Sequence, residues 1–529
     1  MSNPVKTSIQ DVLSGLGATW QADLPPESLN VSSLCFDSRD VHPGSAFFCL
    51  PGEHVDGNTF IGDAIARGAS CVITQTAHDD PALPQIIVPD VRLALALVSA
   101  SFYGNPSQRL RLIGVTGTNG KTTTTHLIER IMTDAGKKTG LIGTLGTRSV
   151  SGADYAEAKH TTPQSSDLQR ILSAMADSGC SHVAMEVSSH ALALKRVAGC
   201  HFAAAVLSNI TQDHLDFHKT MDNYWRAKAI LFEELNESIQ PSRLAVLNSD
   251  DPLSSQFARL LASSIRKITY GWSQPADIHV KAARFESGGS QLTLATPAGD
   301  LDLSLKLTGR FNVYNTMAAV AVALAEGVQP DGLKTSLENF SGVPGRFEVV
   351  STGARQEPLC IVDYAHTPDG LDNVLKAAAN VVPEGGKLIV VFGCGGDRDA
   401  SKRPQMGEIA ESRAHEVIVT SDNPRSEDPQ QIISNILAGI KRMRHVKVEP
   451  DRQRAITLAV LNADARDVVV VAGKGHENYQ ILSDRVIAFD DRLELLQALK
   501  ERLATGGDKN SPESLKNERT SPEKSPQVS

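Results

Sequence analysis

Leu110-Arg-Leu-Ile-Gly-Val-Thr-Gly-Thr-Asn-Gly-Lys-Thr-Thr-Thr124 decides the fold of this chain. The apolar run reads as a buried strand, the glycines as a tight turn, and the segment from Lys121 onward as a helix. A strand, turn and helix in that order aim backbone N–H groups and the positive end of a helix dipole at one point, which makes a phosphate site. Gly117, Thr118, Asn119, Gly120, Lys121, Thr122 and Thr123 fall in it. Lys121 adds a mobile cation for the outer phosphates, and Thr122 adds a hydroxyl suited to Mg²⁺. Leu127, Ile128, Ile131, Met132 and Ala135 are expected on one apolar helix face, with Gly136, Lys137 and Lys138 as its stop. The strict phosphate-loop pattern asks for glycine at 115, where this chain has Val115; Gly114 sits one place early. The competing reading is a strand-to-helix turn with no ligand.

The chain has 529 residues, more than one hydrophobic core usually spans, so several domains are expected. A net charge of −9 argues against a general nucleic-acid binder. Seven cysteines are scattered, odd in number and never spaced as CxxC, which fits small buried thiols in a reducing compartment. No N-terminal signal pattern and no long apolar run are seen, so a cytoplasmic protein without membrane insertion is expected.

Residues 1–105 read as a small α/β unit. Its strands are expected at Ser45–Leu50, Ala69–Thr74 and Gln85–Val88, with helical patterns at Phe60–Ala66 and Val91–Phe102. From 106 to 340 strands and helices alternate, which predicts a parallel sheet sandwiched by helices. From 341 to 503 the alternation repeats. Four apolar strands, Leu359–Val362, Leu388–Phe392, Glu416–Thr420 and Val468–Ala472, each run into a loop rich in polar residues or glycine. Ligands of open parallel sheets bind beyond the carboxyl ends of strands, so the four loops are expected to share one edge and one ligand. The tail 504–529, rich in Ser, Pro, Lys and Glu, is expected to be disordered.

Two further strand ends carry chemistry. Glu186 and His190 lie in Met185-Glu-Val-Ser-Ser-His-Ala-Leu192, and His214 lies in Asn209-Ile-Thr-Gln-Asp-His-Leu-Asp-Phe-His218. A carboxylate at a strand end near a phosphate loop is where a nucleotide's Mg²⁺ is held. Histidine is an unusual Mg²⁺ ligand, so His214 as ligand and His214 as packing residue stay equally open. Tyr224, Lys228, Leu231 and Leu235 fall on one helical face. Lys228 is the odd member. By the residues alone snorkelling is favoured, with the ammonium reaching water; the other reading is a protected, chemically modifiable amine.

Together these residues resemble the Mur ligase family, ATP-dependent amide-forming enzymes of bacterial cell-wall synthesis. The resemblance covers about residues 25–500. It rests on Thr116-Gly-Thr-Asn-Gly-Lys-Thr-Thr123, Glu186-Val-Ser-Ser-His190, Asn209–His218, Tyr224-Trp-Arg-Ala-Lys228, Gly309-Arg-Phe-Asn-Val-Tyr-Asn315, Pro344-Gly-Arg-Phe-Glu348 and Asp363-Tyr-Ala-His366. The shifted first glycine is normal in that family. The implied fold is α/β in three domains: a small N-terminal UDP-sugar-binding domain, a central phosphate-loop domain that binds ATP, and a C-terminal Rossmann-like domain that binds the amino acid.

Asp422-Asn-Pro-Arg425 resembles the stretch by which one branch of the family recognises meso-2,6-diaminopimelate, whose distal carboxylate a guanidinium can pair in bidentate fashion. The same four residues also read as a β-turn. The resemblance further assigns Arg398, Asp422, Asn423, Pro424, Gly473 and Glu477 to the amino-acid site. Ser38, Thr161, Thr162, Ser188 and Arg196 match the site for UDP-MurNAc-L-Ala-D-Glu, though His160 and Leu194 depart from the usual residues there. Asn312, Asn315, Arg346, Asp363 and His366 resemble ATP contacts. The loop Glu53-His-Val-Asp-Gly57 loosely resembles a loop near uracil.

By resemblance Thr122 and Glu186 hold one Mg²⁺, and His214 and a carbamylated Lys228 hold a second. ATP phosphorylates the D-glutamyl carboxylate and the amine then attacks the acyl phosphate. Peptidoglycan precursor synthesis, and with it cell shape and division, is the implied role, and a monomer is expected. The rivals are a ligase of the same fold that adds L-lysine or glutamate, and a non-catalytic nucleotide-binding scaffold.

Overall fold

The computed structural model describes residues 13, 16, 19–21, 31–52, 55–78, 84–149, 154–156, 160–286 and 288–505. The tail from 506 onward, and Glu53 and His54 of the loop expected near uracil, lie outside them. The chain forms two compact units, one of Met1–Arg284 with Gly288–Ser341, the other of Phe285–Ser287 with Gly342–Ser529.

The first unit carries two sheets. The smaller runs in the order Thr19–Gln21, Gln85–Ile87, Cys71–Thr74, Ser45–Phe48, Ser33–Cys35, parallel except for the first pair. The Val91–Phe102 helix covers it with Val91, Ala94, Leu95 and Val98, the i, i+3, i+4, i+7 stripe that builds an amphipathic helix. Asp90 caps it by accepting from the N–H groups of Arg92 and Leu93, both at 3.0 Å.

The larger sheet has ten strands. Arg111–Thr116 is flanked by Phe202–Leu207 and His182–Glu186, both parallel to it. Register pairs Thr116 with Leu207 and Val115 with Glu186, so three carboxyl ends share one edge. Every residue of Phe202–Leu207 is buried, as a central parallel strand requires. Gly114 explains the shifted pattern at the phosphate loop. A Cβ there would stand 2.9 Å from the Phe202 ring and 3.0 Å from Leu231, so this glycine serves core packing. The helix after the loop spans Lys121–Asp134 and buries Leu127, Ile128, Ile131 and Met132. Ala135, expected on that face, is instead exposed; it is the helix cap, past the last full turn, and Gly136 (φ 78°) then ends the helix.

The second unit holds a six-stranded sheet in the order Glu348–Val350, Leu359–Asp363, Val468–Ala472, Leu388–Phe392, Glu416–Val419, Val446–Val448. Only its first pair is antiparallel. The four expected strands are there, and the loops after them line the carboxyl edge in adjacent positions.

Candidate active site

At the phosphate loop, glycine is required twice. Gly117 has φ 145° and a Cβ there would meet Ser208 Oγ at 1.9 Å; Gly120 has φ 86° and a Cβ there would meet Asn315 Oδ1 at 2.3 Å. The neighbouring strand end braces the loop. The Thr118 N–H donates to the Asn209 carbonyl (2.7 Å), the Asn119 N–H to Asn209 Oδ1 (3.0 Å), and Ser208 Oγ to the Asn119 carbonyl (2.6 Å). Thr118 Oγ1 donates to the Thr211 carbonyl at 3.0 Å and lies 3.1 Å from the Tyr224 hydroxyl. Lys121 folds back to donate to the carbonyls of Gly117 (2.9 Å) and Thr118 (2.8 Å).

The reading that aligned Thr122 with Glu186 has direct geometry. Thr122 Oγ1 donates to Glu186 Oε2 at 3.0 Å, and Glu186 is buried. Thr144 completes the carboxylate's shell with its N–H to Oε1 (2.9 Å) and its hydroxyl to Oε2 (3.1 Å). A hydroxyl and a carboxylate are hard oxygen donors of the kind Mg²⁺ takes. Asn312 and Asn315 are buried on the Arg310–Ala325 helix. There Asn312 donates to the Thr308 carbonyl (2.9 Å) and Asn315 Oδ1 accepts from Thr124 (3.3 Å).

Lys228 overturns the snorkelling reading. Its side chain is 1% exposed. The ammonium does not reach water; it donates to the Gly117 carbonyl at 2.8 Å and sits 4.6 Å from the Tyr224 ring centre. Tyr224, Leu231 and Leu235 are buried with it, as the helical face requires. Burial first, and Lys121 second, push its pKa well below the ordinary lysine value. His214 has a left-handed backbone (φ 55°), its Nε2 3.2 Å from Asp213 Oδ2 and its ring 4.7 Å from that of His190 and 6.3 Å from that of Tyr224.

The residues matched to the nucleotide-sugar site also converge. Thr162 Oγ1 donates to the Glu186 carbonyl (2.9 Å) and accepts from the Ser188 N–H (3.0 Å). Thr161 Oγ1 is 3.2 Å from Thr144 Oγ1, and Arg196 donates to the Thr162 carbonyl at 3.1 Å. Burial, then Arg92, lowers the Arg196 guanidinium to about 10. Ser38 stands apart from this group, opening a short 3-10 turn capped by Asp37.

In the second unit the loops meet through buried charge. Asn423 Nδ2 donates to Glu477 Oε2 (2.8 Å), Lys474 donates to the same oxygen (2.8 Å) and to Asn423 Oδ1 (3.2 Å). Lys474 is 0% exposed. Arg452, equally buried, pairs with Asp491 in two bonds of 2.7 and 2.8 Å and donates to the carbonyls of Ser421 (3.2 Å) and Ala472 (3.0 Å). Burial would raise the Asp422 carboxyl, but Arg452 and Lys474 outweigh it and hold it below the ordinary range. At Gly473 (φ 119°) a Cβ would meet Asp422 Oδ2 at 2.5 Å. The β-turn that Asp422–Arg425 also allowed is displaced. The Glu427 N–H donates to the Pro424 carbonyl (3.1 Å), so the turn starts at Pro424, while Asp422 and Asn423 are buried.

Arg425 donates from Nη1 to the Gly396 carbonyl (2.7 Å), and Arg398 from Nη1 to the Asp397 carbonyl (2.8 Å). Burial raises Asp363 to about 6 against the pull of Arg346, whose guanidinium lies 4.3 Å above the Tyr364 ring. His366 Nδ1 is 2.8 Å from the Tyr364 carbonyl. Sequence reasoning missed Thr144, Lys474 and Arg452. Lys474 had a signal, since it sits inside Gly473-Lys-Gly-His-Glu477 three residues before an acid. Thr144 and Arg452 had none.

Known families and proteins match most of the chain. The Mur ligase family catalytic domain matches residues 30–103, the Mur ligase middle domain 115–323, and the Mur ligase glutamate ligase domain 345–475. The chain is 47% identical to the UDP-N-acetylmuramoyl-L-alanyl-D-glutamate–2,6-diaminopimelate ligase of Geobacillus thermodenitrificans, over 93% of this chain and 99% of that protein. It is 48% identical to the protein of the same name from Gloeobacter violaceus, over 90% and 96%. A solved structure of a ligase with that name aligns with a TM-score of 0.66 and 33% identity, over 94% of this chain and 100% of that one. The chain belongs to the Mur ligase family.

Proposed function

We propose that this chain is an ATP-dependent ligase that joins meso-2,6-diaminopimelate to the D-glutamate of UDP-N-acetylmuramoyl-L-alanyl-D-glutamate, in peptidoglycan precursor synthesis. The observation that carries the choice of amino acid is in the second unit. Arg425 and Glu477 are tied to one framework, Arg425 through its N–H to the Ile481 carbonyl and Glu477 through Asn423. A cation for a distal carboxylate and an anion for a distal ammonium are thus held in one cluster, which suits an amino acid whose far end carries both.

A carboxylate is a poor electrophile, so it must be activated. The γ-phosphoryl group of ATP passes to the D-glutamyl carboxylate, giving an acyl phosphate and ADP. The amine then displaces phosphate and forms the amide. The N–H groups at the start of the Lys121–Asp134 helix and the Lys121 ammonium position the phosphates and offset their charge. Thr122 and Glu186 would hold one Mg²⁺, and His214 with a carboxylated Lys228 a second, and these ions would supply charge neutralisation at the transferred group. An unmodified Lys228 does not fit a cation site, because it would add positive charge beside Lys121. Its burial favours the neutral amine, which adds CO₂ with loss of one proton to become a carbamate.

Thr161, Thr162, Ser188 and Arg196 hold the muramoyl dipeptide, Ser38 the uridine end, Asn312, Asn315, Arg346, Asp363 and His366 the ATP. Arg398, Asp422, Asn423, Pro424, Gly473 and Glu477 join Arg425 at the amino acid. The domains divide at about 105/106 and 340/341, and the enzyme acts as a cytoplasmic monomer. The test is ADP release with the UDP-muramoyl dipeptide, comparing meso-diaminopimelate with L-lysine. Release with the first alone is expected; equal release with both sinks the choice of amino acid. Normal turnover by Lys228→Ala without bicarbonate would sink the carbamate.

A further inference from the structure

Past Glu477 the chain makes a two-stranded hairpin, Tyr479–Ile481 paired antiparallel with Val486–Ala488. A hairpin of three residues a side contributes little to a core, and its outward residues Tyr479 and Val486 are 39% and 64% exposed. Gln480 points the other way and is 7% exposed. Its amide Nε2 donates to the Asp422 carbonyl at 2.6 Å. The next residue continues the grip. The Ile481 N–H donates to Asn423 Oδ1 (2.9 Å), and the Ile481 carbonyl accepts from the Arg425 N–H (3.2 Å).

Two adjacent residues of one strand thus hold Asp422, Asn423 and Arg425. The far side of the same turn is closed by glycines. The Gly396 N–H donates to the Asn423 carbonyl (2.9 Å), and a Cβ at Gly396 would meet the Pro424 carbonyl at 1.9 Å. Between hairpin and glycines Arg425 is kept at φ 52°, a left-handed conformation that a long side chain does not adopt unless its surroundings impose it.

We infer that the 479–488 hairpin is a specificity-determining clamp, with Gln480 the positioning residue that fixes the direction of the Arg425 guanidinium. The inference rests on the diaminopimelate reading above. A guanidinium discriminates a carboxylate bidentately only when its own backbone is fixed, because a free arginine satisfies its donors with water. Gln480 touches no substrate in this scheme; it acts through Asp422, while its strand neighbour Ile481 holds Asn423 and the Arg425 N–H. Selectivity between diaminopimelate and lysine is therefore written partly outside the Asp422–Arg425 stretch.

The test compares the full-length enzyme with Gln480→Met, which keeps the side chain's length and removes the donor. Gln480→Glu, of equal size, serves if the first variant folds poorly. The KM for meso-diaminopimelate is expected to rise about tenfold and its kcat/KM advantage over L-lysine to fall about tenfold, as for one buried hydrogen bond. The KM values for ATP and for the nucleotide-sugar should stay unchanged. Amide hydrogen exchange within 421–426 should accelerate in step. An unchanged diaminopimelate KM, an equal rise in all three KM values, or unaltered exchange in the turn overturns the clamp. Failure of the unsubstituted enzyme to release ADP with diaminopimelate would sink the proposed activity instead, and the exchange comparison decides the clamp without it.

Discussion

The phosphate loop of the first unit and the carboxyl-edge loops of the second are held together by different means. The first is built largely from backbone. Gly117 and Gly120 exist to admit close approach, Lys121 bonds carbonyls three and four residues away, and the residues involved are consecutive. The second is built from side chains drawn from remote segments. Asn423 meets Glu477 across 54 residues and Lys474 across 51, while Arg452 and Asp491 join loops from below. A phosphate presents the same charge to every protein, so a short local motif suffices for it. An amino acid must be told from its near relatives, and that takes fixed groups at several points in space.

The largest expected effect breaks the first site. Gly117→Ala puts a Cβ 1.9 Å from Ser208 Oγ in a conformation alanine resists. ADP release should fall by about 10²–10³, as when one transition-state donor is lost, with a stability loss of only about 1–3 kcal/mol from the strained backbone. Arg452→Met should act first on stability. It leaves Asp491 buried without its partner, which costs about 3–5 kcal/mol, so denaturant unfolding of the second unit should shift strongly. If Gly117→Ala instead unfolded the protein and Arg452→Met spared stability, the contrast between backbone and side-chain construction would fail.

A smaller effect sharpens the second site. Arg425→Lys keeps the charge and loses the fork, so discrimination of diaminopimelate from L-lysine should drop by roughly tenfold to a hundredfold, read as a ratio of kcat/KM values. Smallest is a stability effect at the sheet end opposite the phosphate loop. Burial alone would raise the Glu326 carboxyl, but hydrogen bonds from His182 and Arg111 outweigh it and lower the group from 4.5 to about 2. A folded value below the unfolded one adds stability that is full above about 4.5 and lost as pH falls toward 2. The Tm gap between the protein and Glu326→Gln should therefore close over that interval. A gap that stays constant down to pH 2 would show that Glu326 acts by shape alone.

The pattern of strands was legible wherever a run of apolar residues was long enough to be buried on both faces. Leu388–Phe392 and Val468–Ala472 have the expected bounds. The pairing of Thr122 with Glu186 was legible because each ends or follows a strand of one parallel sheet. Lys228 was misjudged from the residues alone for a definite reason. A lysine on an apolar face looks the same in sequence whether its ammonium reaches solvent or a carbonyl, and here the Gly117 carbonyl is supplied by a loop 111 residues away. The alternative turn reading of Asp422–Arg425 failed in the same way. Asp, Asn and Pro favour turns, and nothing local says that two cations from later segments will draw the first two inside.

By itself the sequence determined the α/β alternation, the phosphate loop and the candidate residues at each strand end, because these follow from periodicity and from the conformational limits of glycine. Tertiary structure alone decided the protonation environment of Lys228, the buried ties among Asn423, Lys474 and Glu477, and the clamp on Arg425. Each of those depends on which distant carbonyl or charge shares a dry interior with the group, and a dielectric environment is a property of packing, not of any stretch of chain.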